Sequence, residues 1–232
     1  MTSRLAFSPY FYRGAAVASV LSAVTTLLLI FLPSLYGTDG GFEGRMLRVK
    51  NPAYGVHAWV AFIHPFLATY AAIALAVRLR DKAPGLALTG GLSYLVWGVV
   101  EAAQQAFTLV AFDRWRLAWL AGDPQVREDM AVRVAIYDGI WDALYVLLLV
   151  AIILGSACFA RLCWQSDALS RTIGALFFLV VPLSCYFFFT SIGGREFLPA
   201  SLVFWFYPLT QPLARSLIGV WLWRAAYEEG RT

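Results

Sequence analysis

Long apolar runs separated by short polar stretches set the pattern of this chain. Six runs reach the roughly 20 residues that a helix, rising about 1.5 Å per residue, needs to cross a bilayer core about 30 Å thick. They cover residues 14 to 35, 56 to 78, 85 to 112, 133 to 160, 172 to 192 and 200 to 223, to within a turn. Inside a bilayer every backbone N–H and C=O must be bonded within the segment, so such runs form helix. Punctuation agrees: Pro84 and Gly85 open the third run, Gly193 and Gly194 follow the fifth, and Pro199 precedes the sixth. The spacing predicts an all-α integral membrane protein, a bundle of about six transmembrane helices, with residues 1–232 forming a single polytopic membrane domain. The third and fourth runs are long enough to tilt or to project beyond the membrane. The first, preceded by Arg4 and Arg13, exceeds the roughly 7 to 15 apolar residues of a signal peptide and reads as an uncleaved span.

Composition narrows the function classes. Hydrophobic residues make up 60% of the chain and charged residues 14%, against roughly 25% charged in soluble domains. The formal net charge of +4 is not gathered into a basic patch or a nucleic-acid-binding module, so no nucleic acid is expected as a partner. The basic residues border the apolar runs instead, as topology signals do. Expected partners are the lipid bilayer and a small-molecule or lipophilic ligand. Cys158, Cys163 and Cys185 form no CxxC or Cys/His spacing and read as free thiols.

Loop charge gives an orientation. Nine Lys or Arg fall on one side and eight on the other. The first group (Arg4, Arg13, Arg78, Arg80, Lys82, Arg161, Arg171, Arg224, Arg231) sits in short segments, the positions that the positive-inside rule weights most. Both termini are therefore expected on the cytoplasmic side of a cell membrane. In the outer loops, residues Asp113 to Leu120 read DRWRLAWL, with Trp115 and Trp119 four apart, the pattern of an amphipathic turn lying at the headgroups.

Candidate chemistry comes from polar residues inside the runs. A charged side chain in a span costs about 2.5 to 3.5 kcal/mol on insertion scales and faces a partner or a wet cavity. Asp138 and Asp142 lie four apart and share a helical face, which Tyr145 continues. Glu101 has Gln105 one turn on and Trp97 one turn back, and Arg215 follows Gln211 by one turn. His57 and His64 are seven apart on one face. Counted from the outer ends of the runs, Asp138, Asp142, Glu101, His57 and His64 share one depth range on three consecutive helices, in the outer half of the membrane or near its middle, with Arg215 deeper. Pro65, Pro182, Pro208 and Pro212 interrupt runs, and a helical proline frees the carbonyl four residues earlier. The candidate binding set is His64, Trp97, Glu101, Gln105, Asp138, Trp141, Asp142, Tyr145, Gln211 and Arg215, with Glu101, Asp142 and Asp138 as candidate acids.

Named motifs do not extend this set. The segment DGIWD has no second aspartate-rich motif to hold a metal-bound diphosphate, and no HxxxH, HxxE or ExxH spacing supports a metal. No Ser-His-Asp or Cys-His nucleophile and no Gly-rich phosphate loop is present, so no metal or other cofactor is expected. Two function classes lead. One is an intramembrane acidic and histidine cavity that binds or transports a small solute, with proton coupling supplied by carboxyl groups in a low dielectric. The other is a membrane enzyme whose buried acid acts on a lipophilic substrate as an isomerase, hydratase or cyclase, with Trp97, Trp141 and Tyr145 packing the substrate. A structural or assembly subunit of a membrane complex is the third.

Overall fold

The computed structural model describes residues 7–37, 41–165 and 167–229. Arg4 and Arg231, two of the residues used to orient the chain, lie outside them. The fold is nearly all helix, 89%, with no strand among the described residues. The helices are α1 (Pro9–Phe31), α2 (Gly41–Leu47), α3 (Pro52–Leu79), α4 (Pro84–Phe107), α5 (Asp113–Leu120), α6 (Pro124–Cys163), α7 (Ala168–Ser191) and α8 (Ala200–Glu229). Four long helices, α1, α3, α4 and α6, start on a proline in the first turn, where its missing N–H has no intrahelical partner to lose. Ser8, Asn51, Asp123 and Asp167 cap helix starts by accepting a backbone N–H.

Five helical stretches are long and apolar enough to cross a membrane: Pro9–Leu35, Pro52–Leu79, Pro84–Leu120, Pro124–Cys163 and Ala168–Ser191. The helix α8 has 30 residues but is interrupted by Pro208 and Pro212 and carries Gln211 and Arg215. Two boundaries differ from the apolar pattern. The helix α6 begins at Pro124, well before its apolar run, because Asp123 caps it and Met130 and Val134 bury against a neighbouring cluster. DRWRLAWL is not a separate surface turn: a π-turn at Thr108–Phe112 joins it to α4, and its Arg116 is only 4% exposed.

The long helices form a ring in chain order. Each packs on the next, α1 on α3, α3 on α4, α4 on α6, α6 on α7, and α8 closes on α1; the slightest seam is between α7 and α8. Small residues permit close crossings. A Cβ at Gly98 would overlap Thr69 of α3, and one at Gly155 would press on Tyr94 of α4. The first and last described residues lie on one face of the ring, Phe7 under the Arg80 guanidinium of the α3 end. There Arg78 of α3 is ion-paired with Glu228, and Asp167 accepts from Trp221 Nε1 at 3.1 Å. We call this the terminal face. Its half of the ring is a continuous core that includes Leu75, Leu79, Phe159, Ile173 and Leu222.

The other end carries a cap. Met46 of α2, Phe112, and Met130, Val134 and Tyr137 of α6 form a second buried cluster there. Counting roughly 20 residues, one bilayer core, from Pro84 reaches Gln104, and from Arg161 reaches Trp141. The cap, with Asp138, stands farther than that length from Pro84 and Arg161, and Asp142 lies beside Trp141. The start of the apolar run did not mark the start of the helix, because α6 carries apolar residues into the cap.

Candidate functional site

A cavity of about 270 Å³ occupies the half of the ring nearer the cap. The helix α4 gives it a stripe of Trp97, Glu101 and Gln105, each one turn from the next. From α6 come Trp141, Tyr145, Leu148 and Ile152; α3 contributes His64, α8 contributes Gln211 and Arg215, and α1 contributes Thr26. Eight of the ten candidate binding residues thus line one volume.

His64 is held from both sides. It is 4% exposed, and its Nδ1 lies 2.7 Å from Thr25 Oγ1 of α1. The Thr25 hydroxyl is also 3.0 Å from the Ser22 carbonyl. A hydroxyl has one hydrogen to give. Given to the Ser22 carbonyl, or to that of Leu21 at 3.1 Å, it leaves the Thr25 oxygen to accept from Nδ1–H; given to Nδ1, it makes the imidazole the acceptor. Trp97 stands edge-on to the imidazole, with centroids 6.2 Å apart. Pro65, which follows His64, is buried in the α3 interior.

Glu101 is half-buried, and no described residue hydrogen-bonds its carboxylate. Arg215 reaches the same space from α8: its guanidinium carbon is 5.8 Å from the centre of the Trp97 ring, within cation–π range. It acts electrostatically on both Glu101 and His64. The backbone carbonyl of Arg215 accepts from Ser19 Oγ at 2.6 Å, which ties the proline-containing part of α8 to α1.

The two aspartates do not join this group. Arg45 of α2 grips Asp138 with two hydrogen bonds, the Nη1 to Oδ2 contact being 2.8 Å, and its guanidinium lies over Phe112 and Tyr137. Asp142 is exposed and outside the cavity. At about 100° per residue, Asp142 is turned roughly 90° from the centre of the Trp141, Tyr145, Leu148 and Ile152 stripe. Asp138 faces more nearly the right way but lies a turn above, in the cap. His57 lies outside the cavity and packs its ring against Tyr36, with centroids 5.7 Å apart.

Spacing had missed several neighbours. Tyr94 donates to or accepts from Ser156 at 3.0 Å and stands below Trp97; Gln104 donates through Nε2 to the Trp141 carbonyl at 3.0 Å. Both fall three residues from a stripe member, so the stripe itself was the available signal. Below Tyr94, Gln211 and Arg215 a smaller cavity of about 40 Å³ ends against the terminal half. Among the described residues no three of His, Cys, Asp and Glu gather in a way that could hold a metal ion. No protein-family model, curated protein or solved structure matches the chain.

Proposed function

We propose that this is a six-span membrane protein that binds and carries a small solute admitted from the capped face, with both termini cytoplasmic. The observation that carries the reading is the convergence of Glu101, His64 and Arg215, from three different helices, on one cavity beside proline-interrupted turns. Charged groups in a span mark solute or ion pathways when they line a shared space. Pro65 adjoins His64, and Pro208 and Pro212 flank Gln211. A carrier needs such places, where a helix can bend without losing its packing elsewhere.

Counting α8 as the sixth span rests on its 30 residues, about 45 Å at the helical rise, and on its packing along α1. Its lower apolarity has a cause inside the ring, since Gln211 and Arg215 face the cavity. An even number of spans returns the C-terminus to the side of the N-terminus, and the short basic segments on that side favour the cytoplasm.

One observation supports a second reading, catalysis on a lipophilic substrate: Glu101 faces a wall that includes Trp97, Trp141 and Tyr145, an acid beside aromatic rings that could pack a substrate or stabilise developing positive charge. The two separate experimentally. Purified protein in liposomes loaded with a pH-sensitive dye, offered a panel of small amines, acids and zwitterions, should show flux that Glu101→Gln abolishes. Absence of flux for every solute, together with altered lipid extracts from cells holding the wild type but not Glu101→Gln, would overturn transport in favour of the enzyme.

A further inference from the structure

On the membrane-facing surface of the terminal half, α6 and α7 leave a groove of about 490 Å³ between them. Its walls are Ala157 and Ala160 on α6 and Gly174, Phe178 and Val181 on α7. Small side chains hollow it, and Phe178, 66% exposed, stands along its edge. The lining spans seven residue steps on each helix, roughly 10 Å at the helical rise, room for the headgroup end of an acyl chain. In a bilayer such a groove is filled by lipid.

The end of the groove is chemically distinct. Arg161 and Trp164 close it at the terminal face, both exposed. Arg171 is exposed one turn before Gly174, so it stands on the same side of α7 as Gly174 and Phe178. A tail in the groove would thus place its headgroup against two arginines and an interfacial tryptophan.

We propose that this groove is a specific site for an anionic glycerophospholipid, its chain between α6 and α7 and its phosphate at Arg161 and Arg171. A choline headgroup would bring its own positive charge against the two arginines, so selection should run against it. The site is separate from the cavity, and its test is independent of any solute.

Native mass spectrometry of the delipidated protein, titrated with phosphatidylglycerol or phosphatidylcholine of matched chains, reads the preference directly. The wild type should retain phosphatidylglycerol severalfold better. Arg161→Gln should lower that preference roughly fivefold, the worth of one basic residue near an anionic headgroup. Arg161→Lys should keep most of it, which separates loss of charge from loss of fold. Ala157→Phe, at an exposed groove position, should reduce retention of both lipids. Equal retention of the two lipids by the wild type, an unchanged preference in Arg161→Gln, or undiminished retention in Ala157→Phe would overturn the proposal.

Discussion

Thr69 and Gly98 meet where α3 crosses α4, Gly98 next to Trp97 and Thr69 five residues after His64. A methyl group at Gly98 has no room, since it would overlap Thr69 Oγ1 with the Pro65 carbonyl 3.5 Å away. Overpacking a crossing of this kind costs about 1 to 3 kcal/mol. Gly98→Ala should therefore lower the melting temperature in detergent, and adding Thr69→Ala should recover part of the loss. Strict additivity of the two changes would mean that the contact does not set the crossing. A second residue carries a pH signature. Partial burial disfavours the charge on Asp167, but its hydrogen bonds from Ser170 and Trp221 outweigh this and hold its carboxyl below the usual 3.8. A carboxylate depressed in the folded state adds stability that is complete above its unfolded value, near 3.9, and disappears as pH falls through the folded one. The stability gap between wild type and Asp167→Asn should accordingly be constant from neutral pH down to about 5 and close below about 4. Melting curves across that range check it.

The elements were legible where the physics is local. An apolar run longer than the bilayer, started by proline or a capping side chain, leaves helix as its form, and α1, α3 and α7 follow their runs closely. The stripe Trp97, Glu101 and Gln105 was equally readable, because helical periodicity puts its members on one face whatever surrounds them. The aspartates were not. Asp138 is claimed by Arg45, 93 positions away, and no local spacing reports a partner on another element. Asp142 is exposed and outside the cavity, because its position on α6 is turned away from the Trp141, Tyr145 and Leu148 stripe. In α8 the prolines bear on mechanism more than on stability. If Pro212 serves to let α8 bend beside Gln211 and Arg215, Pro212→Ala should leave the melting temperature unchanged or raised while solute flux and apparent affinity change together, as for a hinge. A variant that melts lower but carries solute normally would make the proline a packing residue.

At the scale of the whole molecule the asymmetry between the two ends governs behaviour. The terminal half is a packed core, whereas the other half encloses a cavity under a cap held by two ion pairs of different character. Arg45 and Asp138 are partly open to solvent, with side chains 27% and 43% exposed. A pair so exposed contributes about 0 to 1 kcal/mol. Arg116 and Asp113 are 5% and 13% exposed, 2.8 Å apart, and Tyr54 donates to the same carboxylate at 2.9 Å. Removing one partner of a buried pair strands the other charge and costs about 3 to 5 kcal/mol. Arg116 also lies 4.3 Å above the Phe112 ring, so the stranded charge would stand inside the apolar cluster of the cap. Asp113→Ala should thus lower the melting temperature sharply. Asp138→Ala should hardly move it, yet hydrogen exchange should rise across residues 41–47, because Arg45 ties α2 to α6 beside the Met46 contact. If the cap controls entry to the cavity, solute should then bind and leave faster in Asp138→Ala at nearly unchanged affinity, since a cap that gates access alters both rates alike. Exchange that stays at the wild-type level in Asp138→Ala would show that the Met46 cluster alone seats α2, and the ion pair would have no part in access.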